Sequence, residues 1–325
     1  MRILFMGTSS FAVPSFQALV DDPDFFVTAV VTQEDRPRDR GLQIKPSPIK
    51  ECALKANIPI HQPATIRSAE VEQTLRSIPA DIIVVASYGK ILPDWLLAMT
   101  TMGAINVHAS LLPRHRGAAP IQRAILGGDT ESGITIMQMD SGLDTGPILL
   151  QQSTNIHPQE TAEGLHDRLA CMGASLLIQA LHGMEKGKLT PTPQDGRFAT
   201  KAAKISKEEA WVDWSKSAAT IHNQVRAFNP WPSCISFFRE LEMKIWVTRH
   251  NPSHPDTPVE PIPGVLWLDK NVRICVLCGD GKSLELVEIS LPGRKRISGS
   301  DLLHGHRIQS GELLSGPSPA VPQSA

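Results

Sequence analysis

Apolar runs and helical patterns alternate along roughly the first 155 residues of the chain. Continuous β-branched runs such as Ile82-Ile83-Val84-Val85 suit strands that are buried on both faces, which is typical of parallel sheets. Strands that alternate with helices predict a doubly wound α/β sheet that is mostly parallel. The predicted strands are 2–6, 25–32, 81–86, 103–108 and 133–139.

The pattern changes after a long predicted helix at 160–185. The next residues are polar and lack periodicity, which indicates a linker, and short strands separated by turns then predict a small antiparallel barrel. The end of the chain is rich in Pro and Ser and is expected to be disordered. The predicted parts are a first domain at 1–188, a linker at 189–205, a barrel domain at 206–310 and a disordered tail at 311–325.

Charge and cysteine content narrow the class of protein. The chain has 325 residues with 32 basic and 33 acidic side chains, so its formal charge is −1. A protein that coats nucleic acid would show a large basic excess, but a local basic patch stays compatible with this balance. Five scattered cysteines do not form a disulfide framework and favour a reducing compartment. Because no run of about 18 apolar residues occurs, we expect a cytoplasmic protein without membrane spans.

Three short motifs resemble cofactor sites and lack the residues that those sites need. Gly7 stands where a dinucleotide fingerprint would begin, but the further glycines that approach the pyrophosphate are missing. The segment 281–283 (Gly-Lys-Ser) resembles the end of a P-loop, but Val276 occupies the position of its first glycine. Cys275 and Cys278 have zinc-like spacing without a second ligand pair, so a structural role is favoured.

The densest polar region follows the predicted strand at 103–108. Strand alternation places Asn106 and His108 on the same side, and the carboxyl ends of parallel strands border the binding crevice of open α/β sheets. A second glycine-punctuated loop could return Asp144 to the same crevice. An amide, an imidazole and a carboxylate suit acyl transfer without a metal, because the imidazole can take a proton from an amine and the amide can donate to an oxyanion.

Two alternatives remain open on spacing alone. Asn106 and Asp144 can simply cap loops, as Asn and Asp often do. A metal could instead be held by His108, His115 and Asp144, but His115 sits between two arginines, a poor place for a cation.

These residues lie in long stretches that resemble the methionyl-tRNA formyltransferases. The stretches include 105–113, 116–122, 133–140, 142–146 and 226–232, and the resemblance extends to about residue 310. It implies a Rossmann-like formyltransferase domain followed by a small OB-like barrel that contacts tRNA. It also implies transfer of a formyl group from 10-formyltetrahydrofolate to the α-amino group of initiator methionyl-tRNA, for translation initiation.

The resemblance assigns roles to individual residues. Asn106, His108 and Asp144 match the catalytic trio of the family. A second set, which directly follows His108 along the chain, matches the folate site of the family. These folate-site residues are Ser110, Leu111, Leu112 and Pro113.

A basic loop after the second predicted strand matches the segment that meets the acceptor end of the tRNA, with Arg40 as the main contact. A long irregular loop in a compact domain is commonly a binding loop, whereas most charge runs are only solvated surface. The loop departs from the family pattern, since family members often have Ala-Gly where Arg38-Asp39 stands. A second departure lies near the start of the chain, where family members often have proline in place of Ser9. The basic residues of the loop are Arg36, Arg38, Arg40, Lys45 and Lys50.

Two rival functions stand beside this expectation, and the second of them belongs to a different class. The first is another folate-dependent formyltransferase or hydrolase with the same first domain, and the second domain and the segment 229–232 weigh against it. The second is a non-catalytic RNA-binding module, which the complete set of Asn106, His108 and Asp144 makes improbable. We also expect a monomer that uses no metal.

Overall fold

The computed structural model describes residues 1–38, 43–251, 262–271, 273–306 and 308–316. The chain divides into two compact units. The first unit contains residues 1–120, 131–155 and 166–203, and the second contains residues 121–130, 156–165 and 204 onward. None of the described helices combines the length and the apolar composition that a membrane crossing requires.

A mostly parallel sheet forms the centre of the first unit. The strands of this unit are β1 (Arg2–Gly7), β2 (Phe26–Val31), β3 (Arg36–Arg38), β4 (Gln43–Lys45), β5 (Ile60–His61), β6 (Ile82–Ala86), β7 (Ala104–His108), β8 (Arg116–Gly117), β9 (Glu131–Gln138), β10 (Ile148–Asn155) and β11 (Lys201–Ala202). Seven of them form one sheet in the order β10-β9-β7-β6-β1-β2-β5. The strands from β7 to β5 are parallel, and β9 is antiparallel to both of its neighbours. The five strands predicted in the first unit are confirmed as β1, β2, β6, β7 and β9.

Helices connect the strands of the first unit, as the alternating pattern predicted. The helices of the chain are α1 (Ala12–Asp21), α2 (Pro48–Lys55), α3 (Ala69–Arg76), α4 (Asp94–Leu97), α5 (Pro120–Leu126), α6 (Ala162–Glu185), α7 (Ala218–Ala227) and α8 (Gly299–His306). Helix α2 begins where the Ser47 hydroxyl accepts a hydrogen bond from the Lys50 amide and Pro48 occupies the first turn, a favourable helix start. All five residues of β6 are buried, as expected for a strand covered on both faces.

The order of the strands fixes where a ligand can bind. The chain moves from β1 to β2 in one direction along the sheet, and β6 and β7 lie on the other side of β1. Such a reversal opens a crevice at the carboxyl ends of the strands. Asn106 and His108 lie at the carboxyl end of β7, next to that crevice.

The second unit contains a curled antiparallel sheet. Its strands are β12 (Cys234–Phe238), β13 (Leu241–Asn251), β14 (Leu266–Leu268), β15 (Ile274–Leu277), β16 (Ser283–Ser290), β17 (Ile297–Ser298) and β18 (Leu314–Ser315). Their order is β14-β15-β16-β13-β12-β18, with β17 paired to β16. A bridge between Val265 and Leu313 joins the two ends of this series. The prediction of a small antiparallel barrel is therefore confirmed.

The expectation of disorder from residue 311 is wrong at its start. Leu314 is 3% exposed and pairs with Phe238, and its amide donates to the carbonyl oxygen of Gly264 over 2.9 Å. Burial of this apolar side chain and the ladder hydrogen bonds hold residues 311–316 in the sheet. Residues 317–325 lie outside the described residues, and the domain limits at 188 and 205 remain predictions.

Candidate active site

Strand β7 places two of the predicted catalytic side chains. It lies between β6, to which it is parallel, and β9, to which it is antiparallel. Asn106 and His108 share one face of the strand because side chains alternate along it. Asn106 is half-buried, whereas the side chain of His108 is buried. Asn106 is paired with Val85 of β6 and with Met137 of β9, and His108 is paired with Thr135 of β9.

The ring of His108 has a defined neutral tautomer. Its Nε2 atom lies 3.0 Å from the carbonyl oxygen of His115. Because a carbonyl oxygen only accepts hydrogen bonds, the ring proton resides on Nε2 and is donated to His115. Nδ1 therefore carries the lone pair and is the basic atom of the ring, and it faces the carboxylate of Asp144 at 3.7 Å.

Asp144 is brought to His108 by the loop between β9 and β10. Its backbone lies in the left-handed region at φ +53°, which costs energy for a residue other than glycine and persists only where the surroundings hold it. Its Oδ2 atom accepts a hydrogen bond from the Gly117 amide over 2.8 Å. Gly117 has φ +126°, and a Cβ atom there would lie 2.6 Å from the Ala202 carbonyl oxygen. Glycine is therefore required where the amide reaches Asp144.

The surroundings keep His108 neutral at neutral pH. Burial lowers the pKa of His108 below 6.5, and the carboxylate of Asp144 opposes this shift by favouring the charged ring. The hydrogen bond to the His115 carbonyl oxygen also favours the charged ring of His108, and electrostatic repulsion from the His115 side chain opposes it. A neutral imidazole with its lone pair on Nδ1 can accept a proton, and the neighbouring carboxylate stabilises the cation that results.

Asn106 has an unused amide group. Within the described residues, its side chain makes no hydrogen bond that would commit the NH₂ group to the protein. The structure thus brings His108 and Asp144 together and leaves Asn106 two residues before His108 on the same strand face. An uncommitted amide beside a buried base can donate to a developing oxyanion.

The four predicted folate-site residues form a turn that is hydrogen-bonded to β9. The Thr135 hydroxyl donates to the Ser110 carbonyl oxygen over 2.7 Å and accepts from the Leu112 amide over 3.1 Å. Gln151 on β10 donates to the Leu112 carbonyl oxygen over 2.8 Å and to the Thr135 hydroxyl over 2.9 Å. The turn ends in a cis peptide bond between Leu112 and Pro113. Sequence reasoning missed Thr135 and Gln151: the strand of Thr135 was predicted from its apolar run alone, and the strand of Gln151 was not predicted.

The predicted tRNA loop contains a short hairpin of β3 and β4. Its register places Arg36 directly opposite Lys45, and both are exposed. Lys50 is half-buried, and its ammonium lies 2.6 Å from the Asp35 carboxylate. Arg40 and the side chain of Arg38 lie outside the described residues. The structure therefore places two exposed cations, Arg36 and Lys45, side by side on the hairpin, and a less exposed one, Lys50, next to Asp35.

The metal alternative gains no support from the described residues. The group of three with ligand atoms within 4.8 Å of one another is Asp22, Asp24 and His182, not the set of His108, His115 and Asp144. The Nε2 atom of His108 is engaged by a carbonyl oxygen and is not available as a ligand.

The predicted linker is part of the site, which sequence reasoning did not foresee. Strand β11 pairs in parallel with β8, and Thr192 exchanges two backbone hydrogen bonds with Ile148, both of 2.8 Å. The Thr200 hydroxyl accepts from the His115 amide over 2.8 Å. His115 has φ +58° and supplies the carbonyl oxygen that binds His108. The segment therefore supports the backbone that sets the tautomer of His108.

Comparison with known proteins places the chain among formyl transferases. The family model for formyl transferase matches residues 1–181, and the model for the formyl transferase C-terminal domain matches residues 204–307. A methionyl-tRNA formyltransferase of Stutzerimonas stutzeri is 44% identical over 95% of this chain and 96% of its own length. One of Coxiella burnetii is 45% identical over 97% of this chain and 99% of its own.

Solved structures share the fold at lower identity. WlaRD, a sugar 3N-formyl transferase crystallised with dTDP and 5-N-formyl-THF, superposes with a TM-score of 0.65 at 19% identity, over 91% of this chain and 99% of its own. HypX of Aquifex aeolicus in complex with tetrahydrofolic acid gives a TM-score of 0.58 at 16% identity. The match covers 93% of this chain and 47% of the HypX chain. At these identities the likeness supports the fold alone.

Proposed function

The chain belongs to the methionyl-tRNA formyltransferase family, and we propose that Asn106, His108 and Asp144 carry its reaction. The reaction transfers the formyl group of 10-formyltetrahydrofolate to the α-amino group of initiator methionyl-tRNA for translation initiation. The observation that carries the assignment is the buried pair of His108 and Asp144, with Nδ1 and Oδ2 3.7 Å apart. A proton acceptor next to a carboxylate is what attack by an amine requires.

The pair acts on the proton that the amine must lose. The neutral amino group attacks the formyl carbon, a new C–N bond forms, and the carbonyl oxygen becomes an oxyanion. His108 accepts the amine proton on Nδ1, and the Asp144 carboxylate stabilises the imidazolium. When the bond from carbon to N10 of the folate breaks, His108 returns this proton to N10, so that tetrahydrofolate leaves neutral at that nitrogen. The imidazole is neutral again at the end of the cycle.

Asn106 stabilises the intermediate. Its NH₂ group is not committed within the described residues, so it can donate to the oxyanion. The loss of one such donor costs about 10²–10³ in rate in enzymes that use one. Asn106→Ala should therefore reduce kcat in this range with little change in substrate KM.

The Ser110–Pro113 turn is proposed to hold the folate. The hydrogen bonds of Thr135 and Gln151 fix its backbone against β9 and β10. The turn begins two residues after His108, so a folate bound there would present its formyl group at the carboxyl end of β7. This placement supports the assignment of Ser110, Leu111, Leu112 and Pro113 to the folate site.

The basic loop is proposed to hold the acceptor end of the tRNA through Arg36, Arg38, Arg40 and Lys45. Two exposed cations on opposite hairpin strands suit a phosphate backbone. Lys50 is assigned a smaller part, because its ammonium is paired with Asp35 at the base of the loop. The second unit is proposed to add further contacts to the tRNA.

Substrate choice tests the proposed function directly. Purified protein with 10-formyltetrahydrofolate should formylate Met-tRNA, and it should leave glycinamide ribonucleotide and sugar amines unmodified. His108→Ala should reduce formyl transfer by about 10²–10⁴, whereas His157→Ala, at an exposed position, should retain the wild-type rate. Formylation of glycinamide ribonucleotide instead of Met-tRNA, or turnover by His108→Ala near the wild-type rate, would reject the proposal.

A second comparison separates tRNA binding from folate binding. Arg40→Ala should raise the KM for Met-tRNA and leave the Kd for folate unchanged, and a control variant at an exposed lysine elsewhere, Lys188→Ala, should change neither. Binding of tRNA should also weaken as salt rises, because phosphate contacts release counterions. A loss of folate binding in Arg40→Ala would contradict the assignment of the loop to tRNA.

We propose in addition that the protein acts as a monomer in the cytoplasm. Every side chain that the mechanism uses comes from one copy of the chain, and the five cysteines are free thiols.

A further inference from the structure

Gln194 joins three parts of the site through one side-chain amide. Its Nε2 atom donates to the carbonyl oxygen of Asp144 over 2.9 Å and to that of Gly146 over 2.7 Å. Its Oε1 atom accepts from the Nε and Nη2 atoms of Arg116 over 3.1 Å and 2.7 Å. Both donor hydrogens and the acceptor oxygen of the amide are therefore used.

The backbone that Gln194 binds is in a conformation that needs support. Asp144 lies at φ +53°, and a Cβ atom at Gly146 would approach the Gln138 carbonyl oxygen to 1.9 Å. The conformation of Asp144 persists only where neighbouring contacts define it, and Gly146 allows the close approach to Gln138 because it has no Cβ atom. The two hydrogen bonds from Gln194 bind the carbonyl groups of this turn on either side of Thr145.

The geometry of His108 and Asp144 is sensitive to the position of this turn. Their closest ring nitrogen and carboxylate oxygen are 3.7 Å apart, too far for a direct hydrogen bond. No direct bond therefore holds the carboxylate to the ring, and its position depends on Gly117 and on the backbone of Asp144. Arg116, the other partner of Gln194, directly precedes Gly117 in β8.

We propose that Gln194 is a positioning residue for formyl transfer: its amide ties the turn of Asp144 to Arg116, and this holds the carboxylate at the working distance from His108. Gln194 itself does not contact the reacting atoms. This proposal rests on the proposed role of Asp144. It assigns a function to a segment that sequence patterns identify only as a linker.

Two substitutions separate the contacts of Gln194. Gln194→Ala removes all of them. Gln194→Glu keeps an acceptor for Arg116 but turns a carboxylate oxygen toward the carbonyl oxygens of Asp144 and Gly146, which it cannot bond. Matched controls are Gln152→Ala and Gln152→Glu, because Gln152 is exposed on β10 and its side chain makes no hydrogen bond within the described residues.

Both Gln194 variants should reduce kcat by about 10²-fold, the effect expected when a catalytic group is displaced by about 1 Å. The KM values for Met-tRNA and folate should stay within about twofold of the wild type, and the Gln152 variants should match the wild type throughout. Asp144 raises the pKa of His108, so its displacement should move the acid limb of the kcat profile to lower pH. If Gln194 only stabilised the fold, its replacement would leave the acid limb of the kcat profile at the pH of the wild type.

Asp144→Asn, measured in parallel, distinguishes the two proposals. If Asp144→Asn loses activity while both Gln194 variants retain kcat within about twofold of the wild type, the positioning role is wrong and the catalytic assignment stands. If Gln194→Glu matches the wild type while Gln194→Ala does not, the contact with Arg116 carries the effect, and the proposal is again overturned. Full activity of Asp144→Asn would overturn the catalytic assignment itself.

Discussion

His222 should make the second unit sensitive to acid. Its side chain lies on α7 and is 3% exposed. Its Nε2 atom donates to the Pro158 carbonyl oxygen over 3.1 Å, and Nδ1 accepts from the Thr248 hydroxyl over 2.9 Å. Burial lowers the pKa of His222 from 6.5 to about 4, with Arg226 and His250 acting in the same direction and the bond to Pro158 opposing it.

The size of the effect follows from this shift. Above pH 6.5 the ring is neutral in the folded and unfolded chain alike, so it has no effect on stability. Between pH 6.5 and 4 the unfolded chain binds a proton that the folded chain does not, and the free energy of unfolding falls by about 1.36 kcal/mol per pH unit. The decrease in the free energy of unfolding should reach about 2 kcal/mol at pH 5 and level off at about 3 kcal/mol below pH 4.

Urea unfolding followed by tryptophan fluorescence reports on this unit, since five of the six tryptophans lie in it and only Trp95 lies in the first. The unfolding free energies of the wild type and His222→Gln should be compared from pH 7.5 to 4. The neutral amide takes up no proton, so the difference between the two pH dependences isolates His222. His157→Gln, at an exposed position, should follow the wild type. Parallel pH dependences of the wild type and His222→Gln would refute the reasoning.

Three further predictions concern the first unit. Gly117→Ala should cost about 1–3 kcal/mol of stability and reduce formyl transfer, because the position has φ +126° and the new Cβ atom would lie 2.6 Å from the Ala202 carbonyl oxygen. Thermal unfolding would measure the loss of stability, and single-turnover kinetics would measure the loss of formyl transfer. Tyr88→Phe should raise stability by about 1 kcal/mol in chemical denaturation, because the buried Tyr88 hydroxyl has no hydrogen-bond partner among the described residues. EDTA should leave the rate unchanged, and a loss that zinc restores would revive the metal hypothesis.

Local patterns were sufficient to predict most of the central sheet. The continuous apolar run of β6 places apolar side chains on both faces of the strand, and both faces must be covered to remove them from water. The run therefore predicted an interior parallel strand. The alternation along β7 likewise predicted that Asn106 and His108 share a face. The edge strand β10 was missed because its second half is polar and mostly exposed, which removes the apolar signal.

Contacts between distant segments could not be predicted in the same way. Gln194 and Thr200 lie in a polar stretch without periodicity, and their partners are about 50 to 85 positions away in the chain. Nothing local indicates such a pairing, because it is specified by backbone carbonyl and amide groups that every residue carries. For Lys50 the difficulty was different: its charge suggested RNA binding, and the ion pair with Asp35, 15 positions away, forms only when the hairpin brings the two side chains together.

The parallel pairing of β11 with β8 affects where the first unit could be joined to the second domain of a related protein. A fusion point placed at residue 188, where composition suggests a seam, would separate Gln194, Thr200 and Ala202 from the strand and loops that they complete. A chimera joined just after Ala203 would carry these residues with the first unit. If the proposed roles of these residues hold, we expect recombination between relatives with different second domains to retain formyl transfer only when the crossover falls beyond β11.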